Sequence, residues 1–71
     1  MQRFVVAGGA LAAGRTIDEL NLDEDVWVSM LLREGLLVTV RGDTVIRAGD
    51  EIVVLTDPEQ GSDPARWFRA A

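Results

Sequence analysis

The 71-residue chain contains no cysteine, histidine, lysine or tyrosine. Without cysteine it forms no disulfide, and without cysteine or histidine it lacks the usual ligands of a structural zinc site. Its charged residues are seven arginines and twelve acids, a net charge of −5 at pH 7. That balance argues against nucleic acid or an anionic membrane surface as a partner, because both attract basic patches.

Long apolar runs are also missing. A membrane-spanning helix needs roughly 20 apolar residues, and no stretch of this chain approaches that length. The apolar start is interrupted at Gly8 and Gly9, which is too early for the apolar region of a signal peptide. We therefore expect a cytoplasmic protein.

The missing residue types also limit catalysis. No histidine or lysine is present to activate a serine or threonine as a nucleophile. The glycine-rich residues 8–14 have the spacing of neither a dinucleotide fingerprint nor a phosphate-binding loop. We expect no enzyme activity.

An acidic loop at residues 23–25 invites comparison with a calcium site. A calcium loop starting at Asp23 would need glycine at its sixth position and glutamate at its twelfth. Val28 and Glu34 occupy those positions, so only one matches. A solvated acidic loop is the better interpretation. Similarly, the sequence Arg-Gly-Asp at 41–43 favours a tight turn over an adhesion motif.

Four apolar segments predict an antiparallel sheet. Residues 3–7, 26–33, 36–40 and 51–56 are rich in apolar and β-branched side chains and are separated by turn residues. Alternation along the second segment places the even-numbered residues from 26 to 32 on one face and Trp27, Ser29 and Leu31 on the other. A short apolar hook at 44–46 is a candidate fifth strand. Gly49, in the turn before the last strand, is expected to have positive φ.

Two kinds of signal predict short helices. Thr16 and Glu19 fit a capping box, which predicts a helix over residues 17–20 that ends near residue 21. Aspartate followed by proline at 57–58 and again at 63–64 predicts two further helix starts, of which the first is cut short by Gly61 and Pro64. We therefore expect one α+β domain over residues 1–71, with a small, mostly antiparallel sheet of four to five strands and two short helices.

Two short helices can cover only one face of such a sheet. The other face would leave large apolar side chains in water. At about 25 cal/mol per Å², covering a few hundred Å² contributes several kcal/mol, comparable to the stability of a small domain. We therefore expect an isologous dimer. The residues expected at its interface are Trp27, Leu31, Leu37, Val53 and Leu55.

The order of these segments resembles a known module. Between Gly14 and Leu55 the sequence contains GRTIDELNL, VSMLLREG and RGDTVIRAGDEIVVL. These motifs resemble the TrkA-C domain, the C-terminal module of RCK domains in potassium channels, potassium uptake systems and cation/proton antiporters. The resemblance covers roughly residues 3–60, and the turns at 41–44 and 48–50 are similar to those of antiporter modules.

The resemblance implies a dimeric, cytoplasmic regulatory domain of a potassium or cation/proton transport system. A ligand or ion bound at the dimer interface would bias the transport gate. The implied partners are a second copy and a membrane transporter or channel subunit, in the same chain or a separate one. The alternative is a plain dimerisation module that binds no small molecule.

The resemblance also suggests where a regulatory nucleotide or cation would bind. Some relatives bind cyclic di-AMP in the interfacial cleft, but here the loop before the central strand is acidic and would repel two phosphates. A cation is therefore the better candidate at this loop, and an anionic ligand would have Arg33 as its nearest cation. The residues expected around a ligand are Asp23, Glu24, Asp25, Trp27 and Arg33. No cofactor is required by the sequence.

Overall fold

The computed structural model describes residues 1–57, 59–61 and 63–70, which form one antiparallel sheet and two short helices. The elements in chain order are β1 (Gln2–Val5), α1 (Ile17–Leu20), β2 (Val26–Arg33), β3 (Leu36–Val38), β4 (Glu51–Thr56) and α2 (Ala65–Phe68). The strand order is β1-β4-β2-β3, with every neighbouring pair antiparallel. The predicted fold class is confirmed in this form. The hook at 44–46 contributes a single bridge, between Thr16 and Val45, rather than a fifth strand.

Helix α1 begins with the predicted capping box. The Thr16 hydroxyl accepts a hydrogen bond from the Glu19 backbone N–H at 3.2 Å, and the Glu19 carboxylate accepts one from the Thr16 backbone N–H at 3.0 Å. These bonds, the backbone one foremost, hold the pKa of Glu19 below its ordinary value. Asn21 ends the helix in the left-handed region at φ 49°.

Of the two later helix starts, only the second produces a helix in the described residues. After the first, residues 59 and 60 form a turn in which the Asp57 carboxylate accepts a bond from the Glu59 N–H at 2.9 Å. Pro58 lies outside the described residues. At the second, the Asp63 carboxylate accepts a bond from the Ala65 N–H at 3.0 Å, and α2 follows.

The core lies between one face of the sheet and the loops and helices that cover it. Helix α2 is held against the start of the chain, where the N–H groups of Ala7 and Ala12 donate to the carbonyls of Phe68 and Trp67, both at 2.9 Å. The Phe4 and Phe68 rings pack with centroids 5.5 Å apart. The buried apolar side chains of this core are Phe4, Val6, Ala10, Ala12, Leu20, Val26, Leu31, Ile46, Ile52, Val54, Ala65, Trp67 and Phe68.

A bulge in β2 corrects the predicted face of Leu31. The pairing of β2 with β4 shifts by one residue between Val28 and Met30, so the alternation of side chains restarts there. Leu31 pairs with Ile52 on the core face and is completely buried. The prediction that Leu31 lies on the uncovered face was therefore wrong, because simple alternation does not allow for a bulge.

Val53 does lie on the uncovered face, but its side chain is not exposed. It stands between Arg3 on β1 and Met30 on β2 in the pairing register. These neighbours shield it, and only 5% of Val53 is exposed. The prediction that water would reach Val53 was therefore wrong as well.

The turn before β4 has the backbone conformation predicted for it. Gly49 has φ 89°, in the region that favours glycine. Its N–H donates to the Val6 carbonyl at 2.8 Å, and the Val6 N–H donates to the Asp50 carbonyl at 2.9 Å. The turn therefore connects the end of β1 to the start of β4.

Candidate functional site

The three acids of the loop do not converge as a cluster of metal ligands in the described residues. Asp25 is buried, whereas Asp23 and Glu24 are exposed, and the Arg66 guanidinium lies 3.7 Å from the Asp23 carboxylate. The Asp25 carbonyl accepts a bond from the Asp57 N–H at 3.1 Å, which fixes the loop against the end of β4. Across the residues that the structure describes, no three acidic groups converge at metal-binding distance.

Arg33 lies at the other end of β2 from this loop. The strand has eight residues, and at about 3.3 Å per residue its ends are roughly 23 Å apart. A single chain therefore does not bring Arg33 together with Asp23, Glu24, Asp25 and Trp27. The ligand roles of these residues remain predictions, but they do not form one site within one chain.

The Arg33 guanidinium is instead occupied by Asp50. Its Nε and Nη2 atoms donate to the two carboxylate oxygens at 3.0 and 2.8 Å, and Nη2 also donates to the Val45 carbonyl at 2.9 Å. The Arg47 N–H adds a further bond to Asp50, at 2.9 Å. Such a two-pronged pair is among the stronger hydrogen-bonded contacts in proteins.

Burial and hydrogen bonding act in opposite directions on Asp50. Its side chain is 2% exposed, and burial alone would raise its pKa. The bonds from the Arg33 side chain and the Arg47 backbone outweigh burial and hold the pKa of Asp50 below its ordinary value. The same pair raises the pKa of Arg33. Both groups therefore stay charged, and the pair fixes the base of the β2–β3 hairpin to the turn before β4.

The sheet face opposite the core is largely apolar and is uncovered in the single chain, with the Arg3–Glu51 ion pair (3.2 Å) as its charged part. We call it the outer face. The pairing register and the alternation along each strand place on it Val5, Trp27, Met30, Leu37, Val53 and Leu55. Trp27 is 57% exposed, Leu37 71% and Leu55 42%. Three of the five residues predicted for a dimer interface therefore lie exposed on one surface.

Trp27 also stands between two clefts. The larger has a volume of about 460 Å³ and lies between α1, the first half of β2 and residues 40–42. The smaller, of about 230 Å³, is lined by Glu24, Asp25, Asp57 and Gln60 as well as Trp27. The larger cleft is of the size that small ligands occupy.

Sequence reasoning missed the residues around the larger cleft and the partner of Arg33. Asp50 is 17 positions from Arg33 in sequence, so no local pattern connects them. Val40 and Arg41 were assigned to a strand and a turn, and nothing in their spacing pointed to a cleft with Ile17. The one available signal was a difference in length. The segment 36–40 is shorter than the eight-residue segment 26–33, so it can pair with only part of that strand.

The comparison with protein families decides the identity of the fold. A family model described as the TrkA-C domain matches residues 1–69. The chain belongs to the TrkA-C domain family. The resemblance visible in the sequence motifs is therefore confirmed.

One similar protein gives this TrkA-C domain a wider context. A Trk system potassium uptake protein TrkA homologue from Archaeoglobus fulgidus is 37% identical over 59 residues. The matched region is 83% of this chain and 14% of that protein, so the chain spans only a small part of its relative's length. Within the part of this TrkA-C domain that the structure describes, no helix is long and apolar enough to cross a membrane.

Proposed function

We propose that this TrkA-C domain is a cytoplasmic regulatory module of a potassium or cation/proton transport system, and that it acts as a homodimer. Membership of the family and the likeness to a potassium uptake protein support the transport role. The observation that carries the proposal is the outer face, an apolar surface on a domain whose own helices lie on the opposite side of the sheet.

The outer face suits a second copy of the chain. Leu37 and Val5 stand towards its two sides and are 71% and 66% exposed. In a symmetric dimer each copy would cover these side chains with the same surface of the other. A transporter that carries two such domains would have its subunit geometry set by this contact.

Ligand sensing at the dimer interface is the finer part of the proposal. Trp27 lies on the outer face and also lines both clefts, so a ligand in either cleft would contact a residue of the interface. Arg33 is already bound by Asp50, and Glu24 is an exposed acid beside Trp27. An anion therefore finds little attraction here, and we expect cyclic di-AMP to bind weakly.

Light scattering after size-exclusion chromatography tests the dimer. We expect a mass of twice 7.7 kDa at tens of micromolar protein. Leu37→Glu should yield monomers, because two carboxylates would be buried at the interface. Leu36→Glu is the matched control: Leu36 is 72% exposed but belongs to the other set of alternating positions. A monomeric native chain, or two variants that behave alike, would refute the proposed interface.

A thermal-shift titration separates regulation from plain dimerisation. A nucleotide or cation that raises the melting temperature of the dimer, and no longer does so in Trp27→Ala, supports a sensor. If cyclic di-AMP, other nucleotides and mono- and divalent cations all leave the melting curve unchanged, the alternative of a plain dimerisation module is preferred.

A further inference from the structure

One edge of β2 is open over half its length. Strand β3 pairs only with Leu31, Leu32 and Arg33, whereas β4 pairs with β2 from Val26 to Leu32. Within the described residues, no strand or isolated bridge pairs with the other edge between Trp27 and Met30. An unpaired edge presents backbone donors and acceptors that can bind another strand.

The larger cleft lies beside this open edge. Residues 40–42 follow β3 and run alongside the first half of β2. They do not pair with that strand, and the larger cleft lies between the two segments. Aliphatic side chains that are only partly buried line it, among them Ile17, Leu22, Val28 and Val40. The cleft therefore offers an apolar side-chain pocket next to a row of backbone groups, the combination by which sheet edges bind extended peptides.

The surroundings of the edge are acidic. Asp18 lines the larger cleft, and Glu24 and Asp57 line the smaller one on the other side of Trp27. Arg41 is the single cation among the residues that line the two clefts in the described structure. The whole chain carries a charge of −5. A second copy at this edge would place two acidic rims together, whereas a basic segment would be attracted.

We propose that the open edge of β2 binds an extended peptide segment that alternates basic and apolar residues, as an added strand with one apolar side chain in the larger cleft. The inference rests on the proposed function for the source of the segment. Cytoplasmic loops of membrane proteins carry an excess of lysine and arginine. A loop of the regulated transporter therefore has the composition that this edge selects.

Titration of the ¹⁵N-labelled chain with a nine-residue peptide of alternating lysine and valine tests the proposal. We expect saturable amide shifts at residues 27–30 and 40–42. Two further peptides carry N-methyl groups on the lysine or on the valine backbone nitrogens, which removes the donors of one edge or the other. One of the two should bind at least about tenfold more weakly, because strand addition uses one edge of the peptide. Shifts at Val5, Leu37, Val53 and Leu55 without shifts at residues 40–42, or equal binding of all three peptides, would overturn the proposal.

Charge variants complete the test. The double variant Asp18→Asn with Glu24→Gln removes two exposed carboxylates and should weaken binding by about threefold to tenfold. Glu34→Gln removes an exposed carboxylate at the far end of β2 and should leave binding unchanged. If Glu34→Gln weakens binding as much as Asp18→Asn or Glu24→Gln does alone, the attraction is a general effect of net charge and the site proposal fails.

The result is independent of the dimer measurement. A chain that dimerises through the outer face but does not bind the peptide retains the proposed function and loses the open-edge proposal. A chain that binds the peptide at residues 27–30 but stays monomeric retains the open-edge proposal and loses the proposed homodimer.

Discussion

The two ends of β2 differ in how completely they are bonded. At the Arg33 end the strand has β3 on one side and β4 on the other, and the guanidinium is bound by the buried carboxylate of Asp50. At the Trp27 end only β4 is paired, and the indole is 57% exposed between two clefts. The comparison teaches that one strand can anchor the fold at one end and leave the other end available for binding.

The largest expected effect lies where the two halves of the strand meet, at the bulge. Leu31→Ala should lower the free energy of unfolding by about 3–4 kcal/mol, because Leu31 is completely buried. When each of the two changes is made in a Leu37→Glu background, which we expect to be monomeric, Met30→Ala should cost less than about 1 kcal/mol, because Met30 is 38% exposed on the outer face of the single chain. Urea denaturation of both variants at one protein concentration measures the difference. Equal losses would show that the bulge is misplaced.

The Arg33 end of β2, which we call the closed end, should contribute stability mainly through Asp50; the Trp27 end is the open end. Asp50→Ala leaves the Arg33 guanidinium and the Arg47 N–H without their acceptor, and we expect a loss of about 2–3 kcal/mol. Glu24→Gln, at the open end, is the matched control and should change stability by less than about 0.5 kcal/mol. Thermal unfolding at pH 7 compares the two.

The pH dependence gives this comparison a second readout. The pKa of Asp50 is lower in the folded chain than in the unfolded one. Its contribution to the free energy of unfolding is therefore fully present above the unfolded pKa of about 3.9. It is lost as the pH falls through the folded pKa. The stability gap between the native chain and Asp50→Ala should therefore narrow in acid. A gap that stays constant down to pH 2 would mean that the ion pair does not supply it.

A smaller loss of stability is expected from a substitution in the turn before β4, which supplies Asp50 to the closed end. Gly49→Val forces a β-branched residue to φ 89° and should cost about 1–2 kcal/mol. In a domain of this size that lowers the melting temperature by roughly 5–15 °C. Gly49→Asn should lower it less, because asparagine tolerates positive φ better. An unchanged melting curve for Gly49→Val would show that the turn relaxes without cost.

The local elements of this fold could be predicted from sequence, and the long-range contacts could not. The predicted bounds of β2 and β4 match the structure, because each is an apolar run between turn residues. The start of α1 follows from Thr16 and Glu19, which are three residues apart and bond each other. These signals all lie within a few positions of the structure that they specify.

The face of Leu31 and the partner of Arg33 depend on other strands and turns. A bulge at Ser29 is defined by the register against β4, where the Ser29 hydroxyl donates to the Val53 carbonyl at 3.1 Å. Alternation within β2 alone carries no trace of it. For the same reason, the open edge of β2 follows from where β3 stops pairing, which only the assembled sheet defines.

The pairing of β1 with β4, reinforced by α2, has a consequence for biosynthesis. Within this domain, β1 is made before β4 and before the Phe68 ring that packs on Phe4. About 60 residues separate β1 from α2, roughly 3–12 s of translation at about 5–20 residues per second. Throughout that interval Phe4 lacks the ring that packs on it, and β1 lacks its strand partner until β4 is made. The core is therefore complete only after residues 65–68 are made, so α2 is the element that finishes the fold during synthesis.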